Sequence, residues 1–283
     1  MAKFTSDEIK QIKRLLAAGL KQREIVKQTG ASRGLVSDIN CGRVHKSVEF
    51  DELPLQAVAE PPKPPTTDGN VLVIGDLHHP FCLKGYLDFC LRQHSRFQCE
   101  TVVFIGDIID NHYPSYHETD PDAMGGGDEL EMAIEHTRPW VQSFPEAYVC
   151  VGNHDRMVMR KAFSGGIPKK WIKSYNEVLE APNWKFMQDL VIDNVQYIHG
   201  ECGTARVKAK NDKFSTVQGH LHTHAYVEFL TGRDACTFGM QVGCGVDRDT
   251  YAMAYAQTGP RPAIGCGVVL DGGTLPIYIQ GDF

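Results

Sequence analysis

Five short segments rich in metal-binding side chains stand in one order along the chain. They are Asp76-Leu77-His78, Gly106-Asp107, Gly152-Asn153-His154-Asp155, Ile198-His199-Gly200 and Gly219-His220-Leu221-His222. Each comes where an apolar run ends. Carboxylates, imidazoles and one amide, with no thiolate among them, suit manganese, iron or zinc in a reactive centre better than a structural tetrahedral zinc. Asp107 has two carboxylate oxygens and can bridge cations about 4 Å apart, the spacing at which both clamp one phosphate. The chemistry this predicts is hydrolysis of a phosphate ester. A lone His78 or His199 would more often be a hydrogen-bonded core histidine; the order and placement of the whole set argue for metal.

The elements that must position these residues are short and apolar. Residues 71–74, 102–105, 148–151, 195–198 and 216–217 read as strands, and 83–91, 129–141 and 169–179 as helices. Fully apolar strands alternating with helices predict an α/β architecture with sheets covered by helices. Loops at the carboxyl ends of such strands gather into one crevice, so all five segments are expected to meet there. Beyond His224 the pattern turns to strands and turns, at 226–230, 237–243, 264–270 and 275–280.

The ordered set D-x-H, G-D-x-x-D, G-N-H-[DE], H and G-H-x-H, over about residues 71–224, resembles the calcineurin-like metallophosphoesterase superfamily. The resemblance implies a four-layer α/β/β/α sandwich with its site at one end of paired sheets. It implies two divalent cations, manganese first, with iron, zinc or nickel as alternatives. Asp76, His78 and His222 would hold one cation, Asn153, His199 and His220 the other, and Asp107 would bridge them. His154 would contact the substrate phosphate and protonate the leaving oxygen. Asp155 is expected to orient His154, and Asp110 to make a structural hydrogen bond within its loop. Two departures bear on substrate. Asn111-His112 stands where the phosphoprotein phosphatases of the superfamily carry Arg-Gly, which weighs against a protein phosphatase. The short gap from His199 to His220 is like that of its compact prokaryotic phosphodiesterases and repair nucleases.

The charge is unevenly spread. Residues 1–50 carry ten Lys/Arg against five Asp/Glu, a balance of +5, while the other 233 residues sum to −11. A basic head on an acidic body suggests different partners for the two. The head reads as three short helices: a capping box at Thr5 and Glu8 opens the first, Gly30 stops the second, and Ser32 caps the third. This pattern resembles the helix-turn-helix units of resolvases and homing endonucleases. Ser32, Arg33, Ser37 and Asn40 would then face DNA base edges, with Lys27, Arg43 and Lys46 on phosphates. A three-helix cap for protein contacts is the alternative. Pro54, Pro61, Pro62, Pro64 and Pro65 make residues 51–70 a semi-rigid linker, leaving 71–283 as the phosphoesterase domain.

An apolar content of 42% and a charged content of 23% are ordinary for a globular protein. No apolar run reaches membrane-spanning length. Asp7, Glu8 and Lys10 stand where a signal peptide needs an apolar stretch, and the nine scattered cysteines form no C-x-x-C pair, so a cytoplasmic protein with reduced thiols is expected. Cys150 and Cys266 read as buried hydrophobes. Trp140, Trp171 and Trp184 read as packing residues, 120–128 as a surface loop, and Gly165-Gly166 as a plain turn. His112 and His117, which follow Asp107, are the histidines outside the motifs most worth testing. The function expected is a phosphodiesterase with DNA as leading substrate. The alternatives are a phosphatase or small nucleotide phosphodiesterase localised by its head, and a non-enzymatic DNA-binding regulator.

Overall fold

Residues 71–74 are apolar at every position because both faces of their strand are covered. Leu72 and Ile74 turn toward one layer of packing, with Phe89, Ala133 and Trp140. Val71 and Val73 turn toward another, with Val103, Ile192, Tyr197, Val217 and Met240. The computed structural model describes residues 4–17, 22–40, 44–45, 48, 69–114, 123–201, 203–233, 235–250 and 260–283. They fall into two compact units, Met1–Lys63 and Pro64–Phe283.

The larger unit holds two sheets. The first contains β1 (Asn70–Ile74), β2 (Cys99–Phe104), β3 (Ala147–Cys150), β4 (Trp184–Met187), β10 (Gly265–Leu270) and β11 (Leu275–Gln280). Their order is β11-β10-β1-β2-β3-β4, with β1 to β4 parallel and β10 and β11 antiparallel at one edge. The second contains β5 (Asp189–Ile192), β6 (Val195–Ile198), β7 (Ser215–Gln218), β8 (Ala225–Thr231) and β9 (Cys236–Val242). It runs β5-β6-β7-β9-β8, and β6, β7 and β9 are parallel. Helices α4 (Tyr86–Arg96) and α5 (Gly126–Ser143) cover the outer face of the first sheet. Helix α8 (Ala205–Asp212) lies on the second, close enough that a side chain at Gly239 would meet the Arg206 backbone. Two sheets face to face between helices make an α/β/β/α arrangement.

In the smaller unit, α1 (Ser6–Ala17), α2 (Gln22–Thr29) and α3 (Arg33–Asn40) pack around Ile9, Ile12, Ile25, Val36 and Ile39. Thr5 and Glu8 make the reciprocal capping bonds, Thr5 N–H to Glu8 Oε2 at 2.7 Å and Glu8 N–H to Thr5 Oγ1 at 3.3 Å. Ser32 Oγ accepts from Leu35 N–H at 3.2 Å. Ser32, Arg33 and Asn40 are exposed and Ser37 is half-buried. Arg43 and Lys46, like the proline-rich stretch 51–68 and His117, lie outside the described residues.

Three expectations need correction. Residues 169–179 are not one helix: a 3-10 turn, Lys169–Trp171, is followed by extended Ile172 and a one-turn helix α7, Tyr175–Val178. The Ser174–Glu177 capping box starts that turn afresh and breaks the longer run. The stretch 120–128 is not all loop, since α5 begins at Gly126. Trp140 and Trp184 are buried, but Trp171 is 83% exposed. Gly165-Gly166 does close a plain turn after α6 (Met157–Ser164), a helix the sequence pattern did not reveal. Among the described residues the seven cysteines are free, and no helix is long and apolar enough to cross a membrane.

Candidate metal centre

All five segments sit at the carboxyl ends of parallel strands. Asp76 and His78 follow β1, Asp107 follows β2, Asn153 and His154 follow β3, His199 follows β6 and His220 follows β7. The first three come from one sheet and the last two from the other, so the site closes the end of the sandwich. Their side chains converge. Asp76, His78 and His222 form one group of potential ligand atoms, Asp107, His199 and His220 a second, and His78, Asp107 and His154 a third, each within 4.8 Å. Asn153 Oδ1 joins the second group, 2.9 Å from His199 Nε2.

Such crowding makes demands on the backbone. His78, Asp107 and His220 all hold positive φ, at 49°, 50° and 66°. This left-handed region costs a non-glycine residue about 1 kcal/mol or more and persists only where surroundings enforce it. Gly152 lets β3's loop press against Asp107, since any Cβ there would collide with that carboxylate.

His78 and His199 are each oriented through Nδ1. His78 Nδ1 meets Asp110 Oδ1 at 2.6 Å, leaving Nε2 buried, without a hydrogen bond, 3.5 Å from Asp107 Oδ2. His199 Nδ1 donates to the Ile105 carbonyl at 3.0 Å. Its Nε2 then faces two acceptors, Asn153 Oδ1 at 2.9 Å and Asp107 Oδ2 at 3.2 Å. His222 Nε2 lies 3.1 Å from Asp76 Oδ2. Electron-rich atoms pointed at one another require a positive centre between them, either a proton or a metal cation. The donors, all oxygen and imidazole nitrogen, fit divalent manganese, iron or zinc.

Asp107 uses its two oxygens differently. Oδ1 accepts the His154 backbone N–H at 2.8 Å, so Oδ2 alone faces both His78 and His199. Burial disfavours the charged carboxylate, yet the surrounding His199, His154 and His78 hold Asp107 well below the usual range. Burial likewise opposes a charged His199, but the Asp107 carboxylate beside it raises that ring to about 9. Burial and the neighbouring His154 push His78 down.

The structure gives Asp155 a different job from the one expected. Its carboxylate accepts backbone N–H groups from Gly152 at 2.8 Å and from Asp107 and Ile108 at 2.9 Å each. His154 is oriented instead by the Asp110 carbonyl, to which its Nδ1–H donates at 2.5 Å. Asp155 cannot take that role because its lone pairs are already committed to the loop backbones. Asp110 does more than the expected loop hydrogen bond, since it fixes His78. Two further supports went unread in the sequence. Asn111 Nδ2 donates to the His154 carbonyl at 2.8 Å. Glu129, buried in the first turn of α5, accepts His112 N–H at 2.6 Å and Tyr113 N–H at 3.2 Å. Asn111 could have been found from its place beside the G-D-x-x-D motif; Glu129 left no signal.

The calcineurin-like phosphoesterase family model matches residues 69–241, and the chain belongs to that family. No curated protein matches it. A metallophosphoesterase from Sphaerobacter thermophilus is similar in structure, with 15% identity, TM-score 0.41, and coverage of 77% of this chain and 89% of that one. Vacuolar Protein Sorting 29 from Cryptosporidium parvum gives 14%, 0.38, 75% and 86% on the same measures. Nuclease MPE from Pseudomonas putida gives 13%, 0.35, 73% and 86%.

Proposed function

We propose that this chain is a binuclear-metal-dependent phosphodiesterase, with DNA as its leading substrate. The observation that carries the reading is Asp107 Oδ2 set between His199 Nε2, 3.2 Å away, and the buried His78 Nε2, 3.5 Å away and without a hydrogen bond. Asp76, His78 and His222 would hold one cation, Asn153, His199 and His220 the other, and Asp107 would join them, with manganese favoured. When bound, such a pair acts as Lewis acid toward the phosphate and lowers the pKa of water. The chain's own residues do the rest. The Asp110 carbonyl holds the proton of His154 on Nδ1, which leaves Nε2 as the proton-transferring atom. Burial pushes the His154 pKa down, but Asp107 and Asp110 outweigh it and raise the ring above its ordinary value. His154 is therefore suited to deliver a proton to the leaving oxygen.

The test is turnover with manganese on single- and double-stranded DNA, bis-nitrophenyl phosphate and mono-nitrophenyl phosphate. The diesters should be the better substrates. A preference for the monoester would replace this reading with a phosphatase.

Metal uptake should depend on pH in a defined direction. His199 in the metal-free fold keeps its proton to about 9, against an ordinary 6.5. That proton stabilises the metal-free fold fully below about 6.5, and the contribution disappears as pH rises through about 9. A cation must displace it. Manganese affinity at the site that includes His199 is expected to climb by about tenfold per pH unit through neutrality and level off above pH 9, with close to one proton released as that site fills near neutral pH. Calorimetry in buffers of different ionisation enthalpy counts that proton; a release of zero would contradict the assignment.

We take residues 1–50 as a DNA-binding head, 51–70 as linker and 71–283 as the phosphoesterase domain. The charge balance of +5 and the exposed Ser32, Arg33 and Asn40 at and along α3 support the head's role. Deleting residues 1–50 should abolish salt-sensitive binding of duplex DNA and spare hydrolysis of bis-nitrophenyl phosphate. Equal duplex affinity with and without the head would end the case for delivery by it.

A further inference from the structure

We propose that Arg156–Tyr175 is a docking platform for a single strand of nucleic acid leading to the active site. The segment contains Arg156, Arg160, Lys161, Lys169, Lys170 and Lys173 and no acidic residue, within a body whose net balance is −11. No other feature of that body has so dense a positive charge, and it starts two residues after His154. Polyanions are the ligands such a contrast selects.

The apolar side chains on it are equally marked. Phe163 is 85% exposed and Trp171 83%, the largest exposures among the big hydrophobic residues described, and Ile167 is 51% exposed. Solvating two aromatic rings on one short excursion is unfavourable, and exposed apolar surface of this kind marks a binding face. A groove of about 480 Å³ opens there, lined by Arg156, Arg160, Phe163, Lys169, Ile172 and Tyr175. It is anchored to the catalytic loops, because Arg156 pairs with Glu201, two residues beyond His199, and donates to Gln188 at 3.1 Å.

Arg156, Arg160 and Lys169 share the groove with the Phe163 and Tyr175 rings, while Trp171 stands exposed on the same segment outside the groove's lining. Cations and rings together match a ligand that presents phosphates and flat faces. Unpaired bases stack on aromatic side chains while the backbone tracks the positive groove. Bases inside a duplex are already stacked, so the platform favours a single strand, whether DNA or RNA. An anionic lipid surface would call for a continuous apolar edge with the cations to its sides, and here Lys169 and Arg160 line the same groove as Phe163. The link to catalysis rests on the phosphodiesterase reading; the binding does not.

The experiment uses the full chain with manganese in a His154→Ala background, and a labelled oligothymidylate of about 12 nucleotides. Trp171→Ala and Phe163→Ala should each weaken its binding about tenfold. Lys169→Gln with Lys170→Gln should make the salt dependence shallower by about 1.4 logarithmic units per decade, from ~0.7 per phosphate contact. Each change concerns exposed side chains, and in the otherwise native chain each should leave bis-nitrophenyl phosphate turnover and duplex binding unchanged. Comparable effects with oligouridylate would support the platform equally. If the variants bind oligothymidylate as the parent does, the proposal is wrong. It is equally wrong if they lose only phosphatidylserine–phosphatidylcholine vesicle binding. Platform-dependent binding in a chain that hydrolyses no diester would uphold the platform and remove the phosphodiesterase reading alone.

Discussion

Replacing His154 by alanine is expected to lower diester turnover by about two to four orders of magnitude, the range for losing a general acid, and to leave the metal content unchanged. The side chain is partly exposed; its Nδ1–H donates to the Asp110 carbonyl and lies 3.6 Å from the Asp110 carboxylate. Its removal therefore withdraws one positive neighbour from the buried Asp107 and Asp110, while His78 and His199 remain beside them. Its backbone N–H, which bonds Asp107 Oδ1, survives the substitution. The loss should shrink with a substrate whose leaving group needs no proton, such as a nitrophenolate, and be largest for DNA. Metal analysis and turnover of both substrates separate the outcomes. A drop in metal occupancy would recast His154 as a ligand, a possibility its grouping with His78 and Asp107 makes concrete. Full activity would remove it from the chemistry.

Much of the centre was legible because the strands that carry it are buried on both faces. Residues 71–74, 102–105 and 195–198 are apolar at nearly every position, and a ligand directly after such a run has its place set by the strand's end. What escaped notice lacks that contrast. In β4, Lys185 interrupts Trp184, Phe186 and Met187, and the strand lies at the edge of its sheet, with burial on one side only. Helix α8 buries just Ala205 and Ala209 among polar neighbours, too thin a stripe to be read as amphipathic. Trp171 was misplaced for the opposite reason: a large apolar ring reads as core, yet it ends a short 3-10 turn that buries none of its residues. The functions of Asp110 and Asp155 were hidden because hydrogen-bond partners across loops, 32 and 48 residues apart for His78–Asp110 and Asp107–Asp155, leave no periodic trace.

Replacing Asp155 by alanine should damage the protein more broadly than replacing His154. The carboxylate is buried and receives three backbone N–H groups at 2.8–2.9 Å, from the loops after β2 and β3. Without it these donors stay buried and unsatisfied, at about 1–3 kcal/mol each before any water enters the gap. A net loss of about 3–5 kcal/mol is expected, comparable with breaking a buried ionic network and a large part of a typical domain's stability. The clamp also holds Asp107 in its left-handed conformation at φ 50°. Released, Asp107 would relax and withdraw Oδ2 from both His78 and His199, so metal and stability should be lost together. Asp155→Asn keeps the shape but presents an amide N–H to donors, and should recover only part of the loss. Denaturant unfolding with metal analysis on Asp155→Ala, Asp155→Asn and His154→Ala tests this. The assignment requires stability and metal to fall in the first two and hold in the third. A stable, metal-replete Asp155→Ala that is merely inactive would return Asp155 to a direct role in orienting His154.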